Sequence, residues 1–142
     1  MRVNKFVLDT NIWISYAISD TLHIPNDIIT NTKTSFIICD ELISELTRVL
    51  TYPHLQKFHI DIPGFIRFVK GISVHVELSY PIKKYVPGDE NDNYVIALAL
   101  QTNAGYITSG DRHILSEKTN LENKFKKLRI LTKSEFEKMF AV

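Results

Sequence analysis

The sequence predicts an α/β fold in which helices cover both faces of a parallel β-sheet. Short apolar runs, typical of buried strands, alternate along the chain with longer segments of helical periodicity. The first run, residues 6–8, stops at Asp9-Thr10-Asn11, three residues that favour a turn or a helix start. Apolar periodicity resumes at Ile12. A strand that passes through an acidic turn into a helix is the repeating unit of a parallel sheet.

Length and composition indicate a soluble globular protein. The chain has 142 residues and a net charge of +1, so we expect one domain over residues 1–142 and no strong attraction to nucleic acid or membrane from net charge. A single cysteine, Cys39, excludes an internal disulfide. Asp9 and Asn11 interrupt the first apolar run too early for a secretory signal, and no apolar stretch approaches the ~20 residues that span a bilayer. We therefore expect a cytoplasmic protein without membrane association.

Strands and helices are predicted in alternation along the whole chain. In the third strand apolar and polar residues alternate, which indicates an edge strand with one wetter face. Asp40 is expected to be a helix N-cap, and Thr132 with Glu135 forms a capping-box pattern. Strands are predicted at residues 2–8, 35–39, 74–78, 105–109 and 128–131; helices at residues 11–19, 26–31, 41–50, 63–70 and 94–100, at a turn through 114–115 and after 132; and a turn at residues 20–25.

Four acidic residues occupy matching places in this pattern. Asp9 and Asp111 close two strands, Asp92 opens the helix after the third strand, and Glu45 lies about one turn into the helix after the second. In right-handed βαβ units each strand's carboxyl end shares a sheet edge with the next helix's N-terminus, so all four should meet at one edge. Glu45 lies within about 40° of Val49, at the margin of its helix's apolar stripe, and is expected to face that edge.

Carboxylates brought together in this way point to a metal site. They would repel one another and resist ionisation unless a cation offset their charge. Oxygen ligands without thiolate or clustered histidine favour Mg²⁺ or Mn²⁺, and two such ions about 3.5–4 Å apart can activate water for phosphoryl displacement. Taken singly, each acid also has an ordinary explanation: Asp92 as a helix cap, Asp111 as a turn residue and Glu45 as a solvated helix residue.

Four motifs in this order resemble the PIN domain family, and in particular the VapC-like toxins of prokaryotic type II toxin–antitoxin systems. The motifs are FVLDTN at residues 6–11, SELTRVL at 44–50, DENDNYVIALA at 89–99 and YITSGDRHIL at 106–115, and the resemblance covers nearly the whole chain. The resemblance implies a three-layer α/β/α sandwich around a five-stranded parallel sheet of order 3-2-1-4-5. It also implies an Mg²⁺- or Mn²⁺-dependent endoribonuclease that holds one or two ions and hydrolyses RNA phosphodiesters with metal-activated water. A small antitoxin and a homodimer are the partners it implies.

By position, the resemblance also assigns roles to residues of the site. The catalytic and metal-binding acids would be Asp9, Glu45, Asp92 and Asp111, with Asn11 and Ser109 as polar supports. Beyond these, Asp89 is a second acid of the loop before Asp92, and a solvated position is the simpler explanation for it. Arg112 could contact a substrate phosphate, and His113 stands where some relatives carry a further acid.

Other functions remain open from the sequence. A PIN nuclease with a role in RNA processing and a non-catalytic RNA- or protein-binding PIN module would share the same motifs. A small-molecule phosphohydrolase of the haloacid dehalogenase type also begins with an aspartate after the first strand. That type normally has a second acid two residues later, and here this position is occupied by Asn11. Clustered basic residues could line an RNA path or simply form solvated faces: Lys124, Lys126, Lys127 and Arg129, and the pair Lys83 and Lys84.

Overall fold

The computed structural model describes residues 3–87 and 91–142. Its centre is a five-stranded sheet in the order β3-β2-β1-β4-β5, in which every described pairing is parallel. This confirms the predicted fold class and strand order. The strands are β1 (Asn4–Leu8), β2 (Thr34–Ile38), β3 (Ser73–His75), β4 (Tyr106–Thr108) and β5 (Arg129–Leu131).

Helices connect the strands and cover the sheet. The chain first steps from β1 outward to β3 and then returns past β1 to β4 and β5, and right-handed crossovers in opposite directions place helices on opposite faces. The helices are α1 (Thr10–Ile18), α2 (His23–Asn31), α3 (Asp40–Leu50), a 3₁₀ helix (Pro53–Phe58), α4 (Ile62–Gly71), α5 (Asn91–Thr102), α6 (Arg112–Ser116), α7 (Lys118–Lys124) and α8 (Lys133–Met139). None of the described helices has the length and apolar character needed to cross a membrane.

Aromatic side chains fill the core on one side of the central strand. Phe6 on β1 packs edge-on against Phe136 of α8, and Trp13 of α1 packs edge-on against Phe36 of β2, all fully buried. Burying each such side chain stabilises the fold by roughly 1.5–3 kcal/mol. On the return crossover, α5 packs against β1, β2 and β4. The apolar run of α5 is buried almost all round, as its sequence predicts.

Some predicted boundaries are wrong, for local reasons. The N-cap of α3 is Cys39 rather than Asp40, which is instead the first helical residue. Helix α2 begins at His23, inside the turn predicted at residues 20–25, because proline is tolerated in a first turn whose N–H groups have no helical partner. Strand β3 ends at His75, although a strand was predicted at residues 74–78. The alternation of apolar and polar residues beyond His75 reflects the burial of Leu78 in the core, outside the sheet. The 3₁₀ helix and α7 had no clear sequence signal.

Candidate active site

Asp9 lies where the central strand β1 meets α1, and its carboxylate is held at both oxygens. One oxygen accepts a hydrogen bond from the Thr10 backbone N–H at 2.8 Å, so that Asp9 is the N-cap of α1. The other accepts from the Ser109 hydroxyl at 2.7 Å and from the Asn11 side-chain amide at 3.3 Å. The side chain is therefore buried and fixed in one orientation at the carboxyl edge of the sheet.

The loop after β4 is joined to Asp9 through the same polar residues. Ser109, fully buried, donates to Asp9 and accepts from the Asp111 N–H at 3.0 Å. The Asn11 amide oxygen accepts from the Gly110 N–H at 2.9 Å. Asp111 then caps α6 by accepting from the His113 N–H at 2.7 Å and the Ile114 N–H at 3.3 Å, and this cap orients the start of α6 toward the site.

Glu45 of α3 faces the sheet edge, as its helical position predicts. One of its oxygens accepts from the Thr10 hydroxyl at 2.6 Å and from the Tyr94 hydroxyl at 3.2 Å. The other lies 3.8 Å from the Arg48 guanidinium. Neither Thr10 nor Tyr94 was assigned to the site from the sequence. Their contacts with Glu45 depend on how α3 and α5 rotate against α1, which local patterns do not specify.

A second group of ligand atoms lies beside Asp9. Single ligand atoms of Asp92, Asp111 and His113 all fall within 4.8 Å of one another. The His113 Nδ1 is 3.4 Å from an Asp92 oxygen and 3.7 Å from an Asp111 oxygen. Asp92 is buried, Asp111 is half-buried and His113 is exposed, so the group opens to solvent on one side. The structure thus brings all four predicted acids to one edge and adds a histidine to them.

Burial and like charge disfavour ionisation at this edge. The pKa of Asp9 is raised from its usual 3.8 to about 6, mainly by burial and to a smaller extent by the nearby Glu45 and Asp92 carboxylates, against the lowering effect of the Ser109 and Thr10 hydrogen bonds. The pKa of the Tyr94 hydroxyl is far above its usual range because the ring is buried and Glu45 lies beside it. Tyr94 therefore stays protonated and donates to Glu45.

This donor set fits a hard or borderline divalent cation. Carboxylate oxygens with one imidazole nitrogen suit Mn²⁺ and Mg²⁺, and the group formed by these described residues contains no thiolate. A cation there would offset the charges that raise the pKa of Asp9. Asp92, Asp111 and His113 could hold it directly, with Asp9 and Glu45 adjacent.

The remaining candidates have simpler positions. Arg112 is exposed on the first turn of α6, next to Asp111. Asp89 lies outside the described residues. Lys126 and Lys127 border a cavity with Gly105, at the amino end of β4, so this basic pair lies at the sheet edge opposite the acids.

The fold and the site together define a class of protein: an α/β/α sandwich whose parallel sheet carries a cluster of carboxylates at its carboxyl edge. The model of the PIN domain family matches residues 5–113, and the chain belongs to this family of nucleases. No curated protein matches the chain.

Solved structures of other proteins share the fold. One is VapBC2 from Rickettsia felis bound to a DNA fragment from its promoter, 13% identical over 90% of this chain and 98% of the matched chain, with a TM-score of 0.54. Another is the PIN domain endonuclease Utp24, 15% identical over 90% of this chain and 84% of the matched chain, with a TM-score of 0.51.

Proposed function

We propose that this protein is a Mg²⁺- or Mn²⁺-dependent endoribonuclease that acts as the toxin of a toxin–antitoxin pair. The observation that carries the proposal is the assembly of Asp9, Glu45, Asp92 and Asp111 at one sheet edge of a PIN-family chain. Carboxylates so placed are the usual ligands of cations that serve phosphodiester hydrolysis. The neighbouring histidine adds a ligand without changing that chemistry.

Each polar residue of the site has a separate task in this proposal. Asp92, Asp111 and His113 hold the cation directly, and Asp9 and Glu45 complete the acidic ligand set beside it. Ser109 and Asn11 keep the Asp9 carboxylate in its binding orientation. The bound cation would supply water activation and neutralise charge on the scissile phosphate.

Two further contacts complete the proposed machinery. Thr10 and Tyr94 hold Glu45 toward the same point. Arg112, exposed beside Asp111, is placed to contact a phosphate of the substrate strand.

The toxin role rests on fold likeness to VapBC2, and with it go a small antitoxin partner, a homodimer and a cytoplasmic location. Likeness to the PIN domain endonuclease Utp24 supports nuclease activity outside a toxin–antitoxin pair, and the second candidate is therefore a PIN nuclease of RNA processing. Inducible expression separates the two. A toxin arrests growth unless its antitoxin is supplied, and Asp9→Asn abolishes the arrest. A processing nuclease leaves growth intact and alters only particular transcripts.

The activity is tested with purified protein and a mixed RNA substrate, with and without Mn²⁺. We expect cleavage that requires the metal and is lost in Asp9→Asn. Asp27→Asn is the matched control, since Asp27 is an exposed acid on α2. Calorimetric titration with Mn²⁺ accompanies each variant.

Two results would reject the proposal. Cleavage by Asp9→Asn at the wild-type rate would remove Asp9 from the reaction. Absence of both cleavage and Mn²⁺ binding in the wild type would make the acidic edge structural and favour a non-catalytic binding module.

A further inference from the structure

A cavity lies at the amino edge of the sheet, on the side opposite the acids. Its volume is about 260 Å³. An apolar cavity of roughly 150 Å³ is enough to hold benzene, so this one admits a single ring with a short substituent and excludes a polymer. The cavity is lined by the end of α5, the residues that lead into β4 and the segment between α7 and β5: Ala99, Leu100, residues 103–105 and residues 125–128. We name it the amino-edge cavity.

The amino-edge cavity is separate from the acidic site. Both involve α5, but Asp92 lies in the first turn of this helix and Leu100 in the last. The helix has 12 residues and is therefore about 18 Å long. A ligand in the cavity would not compete with a cation for the same side chains.

The wall formed by residues 125–128 is held in place. The Arg129 guanidinium donates to the carbonyl oxygens of Lys126 and Leu128 at 2.9 and 2.8 Å. The Leu128 N–H donates to the Phe125 carbonyl oxygen at 2.9 Å. A ligand therefore meets a preformed wall, which lowers the entropy lost on binding.

This wall presents an aromatic ring that is supported from behind. Phe125 is half-buried and packs edge-on against Tyr85, with the ring centroids 5.9 Å apart. The Asn93 amide oxygen accepts from the N–H groups of Tyr85 and Val86 at 2.7 and 2.9 Å, so the supporting residue is itself fixed. An aromatic ligand gains from such a ring both the burial of its apolar surface and the attraction between ring faces and edges.

Gly105 leaves space in the cavity without a structural reason to be glycine. Its φ lies outside the left-handed region. Among the described residues outside its immediate chain neighbours, a Cβ added at Gly105 would meet only the Lys127 carbonyl oxygen, at 3.6 Å, which is an ordinary van der Waals distance. The protein would tolerate a side chain here, and the space that a side chain would fill is available to a ligand.

Two lysines of the cavity have no acidic partner. Lys126 and Lys127 are exposed, and no carboxylate of the described residues lies within ion-pair distance of either. The nearest acid along the chain, Glu122, instead accepts from the Ile130 N–H at 2.8 Å. Free ammonium groups form strong, charge-assisted hydrogen bonds with an anion, so the ligand should carry a negative charge.

The negative end of α5 does not cancel this charge, because its carbonyl groups have partners. The Ala99 carbonyl oxygen accepts from the Ala104 N–H at 2.9 Å, and the Thr102 carbonyl oxygen accepts from the Lys5 ammonium at 3.3 Å. Asn103, the residue after this helix, also lines the cavity, and its side-chain amide is a further donor for an anion.

We infer that the amino-edge cavity binds a small aromatic carboxylate, with its ring against Phe125 and its carboxylate at Lys126 and Lys127. The volume limits the ligand to about one ring, the fixed Phe125 ring favours an aromatic body, and the two ammonium groups require an anionic end. The inference goes beyond the proposed nuclease function and does not depend on it.

Phenylacetate is the probe, and its binding to the full chain is measured by saturation-transfer NMR and calorimetric titration. Phenylacetamide has nearly the same shape without the charge and should bind about tenfold more weakly, because hydrogen bonds to a charged group are stronger. Hexanoate keeps the charge without the ring and should bind about two- to tenfold more weakly, as expected for one lost aromatic contact.

The charge is tested with a pair of double variants. Lys126→Ala/Lys127→Ala should weaken phenylacetate binding about tenfold and leave phenylacetamide binding unchanged. Lys83→Ala/Lys84→Ala is the matched control, since it removes the same charge from a segment that does not line the cavity, and it should bind phenylacetate like the wild type.

The location is tested by filling the cavity. Gly105→Val should abolish binding of phenylacetate and phenylacetamide without lowering the Tm, because the added side chain occupies open space. Gly71→Val is the matched control: a Cβ at Gly71 meets no atom within 4 Å, and this glycine ends α4, outside the cavity. It should bind phenylacetate like the wild type.

Four results would overturn the inference. Absence of phenylacetate binding to the wild type at millimolar concentration would reject the site outright. Equal affinity for phenylacetamide would remove the need for an anion, and equal affinity for hexanoate would remove the need for a ring. Unchanged binding by a folded Gly105→Val would place the ligand elsewhere. None of these results depends on RNA cleavage, so this inference and the nuclease proposal fail separately.

Discussion

Asp9→Asn should stabilise the metal-free protein at neutral pH. The pKa of Asp9 is raised from 3.8 to about 6, and one pKa unit corresponds to about 1.4 kcal/mol, so the ionised carboxylate reduces stability by about 3 kcal/mol above pH 6. The pKa of Asp9 is higher in the folded state than in the unfolded state. The stability contributed by protonated Asp9 is therefore fully present below pH 3.8 and is lost as the pH rises through about 6. Asparagine removes the charge while keeping the shape.

The substitution also has an unfavourable part. Two donors, the Ser109 hydroxyl and the Asn11 amide, converge on one Asp9 oxygen. If an amide nitrogen takes that place, Ser109 can rotate to accept, but Asn11 loses its acceptor, at a cost of about 1 kcal/mol. The net gain is therefore about 2 kcal/mol at pH 7.5 in EDTA, or roughly 6 °C in Tm for a chain of this size.

Thermal and urea unfolding of both proteins in EDTA, at pH 7.5 and pH 4.5, measure this difference. At pH 4.5 most of the Asp9 penalty has gone and the two proteins should be about equally stable. Added Mn²⁺ should raise the Tm of the wild type more than that of the variant, which keeps Asp92, Asp111 and His113 but lacks the adjacent carboxylate. A variant less stable than the wild type at pH 7.5, or a stability difference independent of pH, would refute the argument that a buried, uncompensated charge dominates this edge.

The remaining predictions concern three neighbours of the acids. Tyr94→Phe removes one of two hydroxyl donors to Glu45 and should lower kcat about tenfold with KM unchanged; a change confined to KM would count against a positioning role. His113→Ala should weaken Mn²⁺ binding by at least about tenfold in calorimetric titration, and unchanged affinity would exclude the imidazole as a ligand. Asn93→Ala leaves two backbone N–H groups without their acceptor and should lower the free energy of unfolding by about 2–4 kcal/mol in urea, whereas a loss below the error of the assay would mean that water replaces the amide.

The fold was predictable because its signals are local. The strand segments at residues 6–8 and 105–109, each followed within two residues by an aspartate that caps a helix, determine a strand, its direction and the next helix. Thr132 and Glu135 form the predicted capping box for the same reason. Elements without such signals were missed. Helix α7 has no side-chain cap, and only Leu121 of its residues is buried.

The sequence predicts only those features of the site that follow from the shared edge of the parallel strands. The positions of Asp9 and Asp111 follow from the strands they end, since parallel strands share an edge. The hydrogen bonds to Glu45 join residues 35 and 49 positions apart, and they exist only for one rotation of each helix. The proximity of His113 to Asp92 likewise depends on the angle at which α6 leaves its cap. Such distances come from packing and cannot be derived from spacing.

The central position of β1 determines when the acidic edge can exist. Asp9 ends the strand that lies between β2 and β4, and its closest hydroxyl partner, Ser109, is separated from it by 100 positions of the chain. During synthesis the first half of the sheet can pair while β4 and α6 have not yet been made. In that interval Asp9 and Glu45 lack Asp111 and His113, so a growing or truncated chain holds no complete set of ligands. Any activity of this edge therefore begins only when β4 has paired with β1 and α6 has formed, and local opening of the short α6 would be enough to end it.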